Sequence, residues 1–178
     1  RRSRTRTQEV QHFDWKRGVE LGKEGRYVAK RFLGDGTFGR VLACVDKETK
    51  ETVAVKIVKG ARRYCEHAKA EVEVLSEILA KDSKGEGHLV RLLGHFLHGR
   101  FNYCIVFEAL DTSLRDFLKA QGSLGLLMEN IVEISRQLLQ SLAFLHSLGV
   151  VHTDLKCRNV MLRDSAFDAV AHPRAAEP

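Results

Sequence analysis

Between residues 27 and 58 the apolar positions alternate. Val41, Ala43 and Val45 form one period-two series and Val53, Val55 and Ile57 another, with the polar stretch 46–51 between them. That pattern predicts antiparallel strands joined by a turn. From Arg62 to Lys81 there is neither Gly nor Pro, and Ala68, Val72, Leu75 and Leu79 recur at three- and four-residue intervals, which predicts an amphipathic helix. Lys84-Gly85-Glu86-Gly87 ends it. Strand-like runs follow over 89–96 and 102–107 around the turn His98-Gly99-Arg100, and Asp111-Thr112-Ser113 offers an N-cap for a short helix with Leu114, Phe117 and Leu118. Residues 130–148 carry a stripe of Ile131, Ile134, Leu138, Leu142 and Leu145, with Gly149 placed to end the helix and the stripe in need of a partner. Strands, helix, strands, then helices make an α+β arrangement, sheet-rich first and helical second. Before it, the aromatics of His12-Phe13-Asp14-Trp15 read as a packing strap. After Ser165 the chain is Ala-rich, holds both prolines and has no period, so it is left without structure.

A length of 178 residues at 44% hydrophobic content is enough for a sizeable core. No apolar run reaches the ~18 residues of a membrane span and no signal peptide is visible, so the default expectation is a soluble intracellular protein with no membrane partner. Cys44, Cys65, Cys104 and Cys157 lack any C-x-x-C pairing and are read as reduced thiols. The net charge of +6 is uneven, with Arg1, Arg2, Arg4 and Arg6 at the start. This block fits a nuclear-import or nucleic-acid-contacting arm and fits a solvated tail equally; direct nucleic-acid binding is not expected beyond it.

Gly34-Asp35-Gly36-Thr37-Phe38-Gly39-Arg40-Val41 is a G-x-G-x-x-G-x-V loop between strand-like segments. Glycines there allow positive φ and close approach of backbone amides to phosphate oxygens. A dinucleotide site would need a helix right after the last glycine, and the alternation at Val41, Ala43 and Val45 says strand; a Gly-rich hairpin turn remains the bland alternative. Val53-Ala54-Val55-Lys56 follows, placing a lysine where it can bind phosphates if a carboxylate positions it. Glu71, fifteen residues on, is the natural partner, with Glu66 and Glu73 as alternatives. Glu73 stands about 200° around the helix from Glu71.

His152-Thr153-Asp154-Leu155-Lys156-Cys157-Arg158-Asn159 places an acid, a cation and an amide at the spacing phosphoryl transfer uses. Asp154 is spaced to accept or orient the proton of a substrate hydroxyl, Lys156 to neutralise the transferring group, and Asn159 to ligate a metal ion. His152 is expected to hold the loop rather than act as a base.

With glycine loop, strand lysine, helix glutamate and this loop in order, residues 27–162 resemble the N-lobe and first part of the C-lobe of a eukaryotic protein kinase. Thr153 and the segments Ala54-Val55-Lys56-Ile57-Val58-Lys59, Arg63-Tyr64-Cys65-Glu66 and Ile105-Val106-Phe107-Glu108 are most similar to the CDC-like (LAMMER) dual-specificity kinases. The resemblance implies a protein-kinase-like α+β fold, with a basic arm and strap over 1–26, an N-lobe and hinge over 27–110, a partial C-lobe over 111–162 and a tail over 163–178. It implies ATP and Mg as cofactors, with Lys56 and Glu71 in the catalytic set and Asn159 as the metal ligand. Gly34, Gly36 and Gly39 would cover the phosphates. Phe107 would be the gatekeeper, Glu108 and Leu110 the hinge contacts, and Leu33, Val41, Ala54 and Met161 the apolar sandwich around adenine. Protein Ser/Thr hydroxyls, with Tyr as a further acceptor, Ser/Arg-rich splicing proteins as substrates and a nuclear location, with the cytoplasm as a second site, follow from the resemblance alone. The chain departs from the family at Cys157-Arg158, where Pro-Glu is usual. It ends nineteen residues after Asn159 with no Asp-Phe-Gly; Asp168, between Phe167 and Ala169, is no substitute, and an incomplete chain is expected. The rival readings are a non-catalytic nucleotide- or partner-binding lobe and a splicing-associated address carried by the basic arm.

Overall fold

The computed structural model describes residues 13–36, 38–122 and 125–167. They divide into two compact units: residues up to Gly85 with Val90–Ala109, and Glu86–Leu89 with the chain from Leu110 onward. The basic arm and Asp168 lie outside the described residues.

The first unit is built on an antiparallel sheet of β1 (Glu20–Leu21), β2 (Tyr27–Asp35), β3 (Gly39–Asp46), β4 (Thr52–Val58), β5 (Leu92–His98) and β6 (Asn102–Glu108), ordered β1-β2-β3-β4-β6-β5. Period-two alternation gives each central strand two apolar faces. One face gathers Ala29, Leu42, Cys44, Val53, Val55, Ile57, Cys104 and Val106 into a core, against which Phe13 and Trp15 pack. Trp15 stacks on Phe32 with ring centroids 5.8 Å apart, so the expected strap is present. Asp46 ends the Leu42-Cys44-Asp46 series on this face, and its buried carboxylate accepts three hydrogen bonds from Arg26 at 2.6–3.1 Å. The Arg26 guanidinium holds that carboxyl below the usual range.

The opposite face puts Val58, Leu92, Tyr103 and Ile105 against Ala68 and Val72 of helix α1 (Arg62–Lys81). Burying such side chains contributes about 1.5–3 kcal/mol each, which offsets the absence of a side-chain N-cap at Ala61. Two details differ from the sequence expectation. The lead-in contains β1, whose Leu21 is fully buried. And the fifth strand starts at Leu92 rather than at 89, because the Glu108 carboxylate takes the Arg91 amide at 2.8 Å outside the regular ladder.

In the second unit, α2 (Leu114–Ala120) is capped by Ser113, whose hydroxyl accepts from the Asp116 amide at 3.1 Å. Helix α3 (Met128–Ser147) begins two residues before the expected Asn130, since its first residues are solvent-exposed and Met128, 71% exposed, stands outside the buried stripe. At its end Gly149 takes φ 73° and donates to His146 O, while Val150 donates to Leu145 O, the paired bonds of a glycine-terminated helix. The α3 stripe is covered unevenly: Leu145 is buried, Ile134, Leu138 and Leu142 are half-buried, and Ile131 is exposed. Ser141, inside the covered end, donates to the Gln137 carbonyl at 3.0 Å, and its hydroxyl lies 3.5 Å from the His88 carbonyl of the Glu86–Leu89 segment. Among the described residues no helix is long and apolar enough to cross a membrane. All four cysteines are free: Cys44 and Cys104 are buried, Cys65 is half-buried and Cys157 is exposed.

Candidate functional site

In the sheet unit the ladder aligns Val41 with Lys56 and Lys56 with Ile105, and Ala54 with Phe107. Directly paired residues and those two apart share a face, so Val41, Ala54, Lys56 and Phe107 stand together on the α1 side. Val41, Ala54 and Phe107 are half-buried, leaving apolar surface beside the lysine. Leu33 lies at an irregularity of β2 and Glu108 at the end of β6. Leu110 and Met161 belong to the helical unit, so the expected adenine set is divided between the two units.

Lys56 Nζ donates to both carboxylate oxygens of Glu71, at 2.6 and 2.8 Å. Of the two alternatives, Glu66 pairs with Arg62 and Glu73 is exposed. Two donors of an ammonium's three are thereby committed and its position is fixed, which matters more than the pair's own stabilisation.

The glycine loop corrects one expectation. None of Gly34, Gly36 and Gly39 has a positive φ. Gly39 is required for a different reason: a Cβ there would stand 2.2 Å from the Ile57 carbonyl oxygen on the neighbouring strand. Gly34 faces open space and Gly36 nearly so, which is compatible with close approach of a ligand to the backbone.

In the helical unit the 152–159 segment folds on itself. Lys156 Nζ donates to Asp154 at 2.8 Å, and Asn159 Nδ2 donates to the Asp154 carbonyl at 2.9 Å and carboxylate at 3.1 Å. The hydrogen bond from Lys156, with help from Asn159, holds the Asp154 carboxyl below its usual range, so the group is ionised at neutral pH. His152 accepts from the Asp154 amide through its carbonyl at 2.8 Å and its ring at 3.3 Å, the loop-holding part expected of it. Thr153 between them sits at φ 60°, rare for a β-branched residue. The segment is tied to the start of α2 by Arg115 N to Cys157 O, Leu114 N to Val160 O and the Ser113–Met161 bridge.

The fit to a divalent cation is poor. Among the described residues no group of three or more His, Cys, Asp or Glu side chains could hold a metal ion. Asn159 offers one neutral oxygen, and Asp154 is engaged by Lys156 and Asn159. Magnesium ordinarily takes one or two carboxylates besides phosphates, and these residues alone do not supply that set.

Residues 27–169 match the family model described as Protein kinase domain. The chain is 43% identical to Arabidopsis thaliana Serine/threonine-protein kinase AFC2 over 83% of its own length and 35% of the relative's. It is 37% identical to Homo sapiens Dual specificity protein kinase CLK1 over 96% of this chain and 36% of that one. It is 35% identical to Saccharomyces cerevisiae Dual specificity protein kinase KNS1 over 97% and 23%. A crystal structure of a kinase domain superposes with TM-score 0.79 at 34% identity, covering 86% of this chain and 44% of that chain. The chain thus spans between about a quarter and a third of the length of these curated relatives.

Proposed function

The chain belongs to the protein kinase family, and from that premise we propose that the protein carrying it transfers the γ-phosphoryl group of ATP to Ser and Thr hydroxyls of proteins, with Tyr as a further acceptor. The observation that carries the reading is the Lys56–Glu71 ion pair on the apolar sheet face. A cation fixed by a carboxylate and flanked by Val41, Ala54 and Phe107 suits a nucleotide whose base is apolar and whose phosphates are anionic. The glycines that leave open space, Gly34 and Gly36, let backbone amides approach those phosphates.

On the acceptor side, the ionised Asp154 takes or orients the hydroxyl proton as the hydroxyl oxygen bonds to the γ-phosphorus and the bond to the ADP oxygen breaks. Lys156 offsets charge on the transferring group, and Asn159 keeps Asp154 oriented. When bound, magnesium would neutralise phosphate charge; of the described residues Asn159 would offer it one neutral oxygen, short of the carboxylates such an ion ordinarily takes. Ser/Arg-rich splicing proteins as substrates and a nuclear location are the finer part of the proposal, supported by resemblance to CDC-like kinases.

The test is transfer of labelled phosphate from ATP to a Ser/Arg-repeat peptide by the full-length protein. Transfer should fall by about a hundredfold or more in Lys56→Met and in Asp154→Asn. A folded protein that binds ATP yet transfers nothing to any Ser, Thr or Tyr peptide would instead support a non-catalytic nucleotide-binding lobe.

A further inference from the structure

Among the described residues, two cations at the 152–159 segment, one inside it and one beside it, have no carboxylate within ion-pair distance. Arg158 adjoins Asn159, whose side chain is bonded to Asp154. Arg115 is brought to the same place by its backbone, which donates to the carbonyl of Cys157 at 3.1 Å. Both arginines are exposed. The ion pairs of this unit among the described residues involve other cations, Lys156 with Asp154 and Arg136 with Glu133. Asp116, the acid next to Arg115 in sequence, accepts from Ser113 Oγ at 2.6 Å. Asp154, the acid of the segment, is held by Lys156 and Asn159, so it does not neutralise either arginine.

We propose that Arg115 and Arg158 form a specificity site for an anionic residue flanking the acceptor hydroxyl. The inference rests on the kinase reading above and narrows its substrate class. A peptide that brings its hydroxyl to Asp154 carries its neighbouring residues within reach of Arg158, four positions along the same exposed segment, and of Arg115, whose backbone is bonded to Cys157. There, two uncompensated guanidinium groups repel arginine and lysine, and they attract a carboxylate or, with bidentate geometry, a phosphate. On a Ser/Arg-rich substrate the favoured serine is therefore one next to an acidic or already phosphorylated residue, rather than one flanked by bare arginines.

The experiment uses four serine peptides that differ only in the flanking residues: neutral, arginine, glutamate or phosphoserine. Binding is followed by fluorescence anisotropy and turnover by phosphate transfer in the full-length protein. The phosphoserine and glutamate peptides should bind roughly five- to tenfold more tightly than the arginine peptide, with phosphoserine ahead if the site is built for phosphate and equal if charge alone matters. Arg158→Glu combined with Arg115→Glu should reverse the order. Replacing the exposed Lys119 with Glu, a charge change on the same helix, should leave it intact. Preference for the arginine peptide, or an equal shift from Lys119→Glu, overturns the proposal. Absence of phosphate transfer to all four peptides overturns the kinase reading instead, while the binding order still decides the specificity site.

Discussion

Gly39 and Ile57 approach so closely across β3 and β4 that a methyl group on Gly39 would lie 2.2 Å from the Ile57 carbonyl oxygen. The last glycine of the loop thus serves the sheet, whereas Gly34 has nothing within 4 Å of where its Cβ would be. Gly39→Ala should lower stability by about 1–3 kcal/mol, as overpacking does. Gly34→Ala should leave stability unchanged or raise it by up to about 1 kcal/mol, while weakening ATP binding. Urea unfolding and nucleotide titration of both variants separate the two jobs. Equal destabilisation would contradict the difference in packing.

Lys56→Met in the full-length protein should reduce turnover by about a hundredfold or more, the scale of a misplaced reacting group. Glu71→Gln should follow it in direction, since Glu71 is what fixes the ammonium. Glu73→Gln should stay within about twofold, as exposed substitutions do. Steady-state kinetics of the three variants is the check, and a larger loss at Glu73 than at Glu71 would refute the assigned helix face.

Helix α1 was legible to its last residue because a Gly- and Pro-free stretch with period 3.6 is bounded by the glycine at position 60 and the Lys84–Gly87 break. The Lys56–Glu71 pair was legible for the same reason: once strand and helix are placed, Glu73 points away, and the structure then sets aside Glu66, which pairs with Arg62. Strand β1 was not, since two residues are too short to show a period and glycines at 18 and 22 bracket Val19 and Leu21. The role of Gly39 was also hidden, because it depends on the carbonyl of a residue eighteen positions later in the chain. Arg115 escaped notice as well; backbone bonds between chain-distant residues, Arg115 to Cys157 among them, bring α2 beside the 152–159 segment.

Asp46 makes the sheet unit acid-sensitive. Its folded-state pKa lies below that of the unfolded chain, chiefly through the Arg26 hydrogen bonds. The contribution to stability is therefore complete above the unfolded value of about 3.9 and is lost as pH falls through the lower folded value. Asp46→Asn should cost about 1–3 kcal/mol at neutral pH and flatten the acid limb of the stability profile. Thermal melts from pH 7 to pH 2 would show an unchanged acid slope in the variant if the pair were irrelevant.

Asp154 should titrate below an ordinary aspartate, since Lys156 and Asn159 both donate to its ionised form. Lys156→Met should move that titration upward, toward the ordinary value. Carboxyl carbon shifts followed by NMR against pH measure both, and an unmoved midpoint would remove Lys156 as the cause.

The placement of three of the four thiols gives the protein two built-in clocks. Burial pushes the Cys44 thiol up to about 12 and the Cys104 thiol higher still, so an alkylating reagent reaches them only when the sheet opens. Cys157, exposed in the segment that carries Asp154 and Lys156, reacts without any opening, and its labelling is slowed only by whatever covers that segment. The rate at the buried pair then reports how often the fold comes apart, and the rate at Cys157 reports how long a peptide stays in place. Both are read from one mass-spectrometric time course on the unaltered chain.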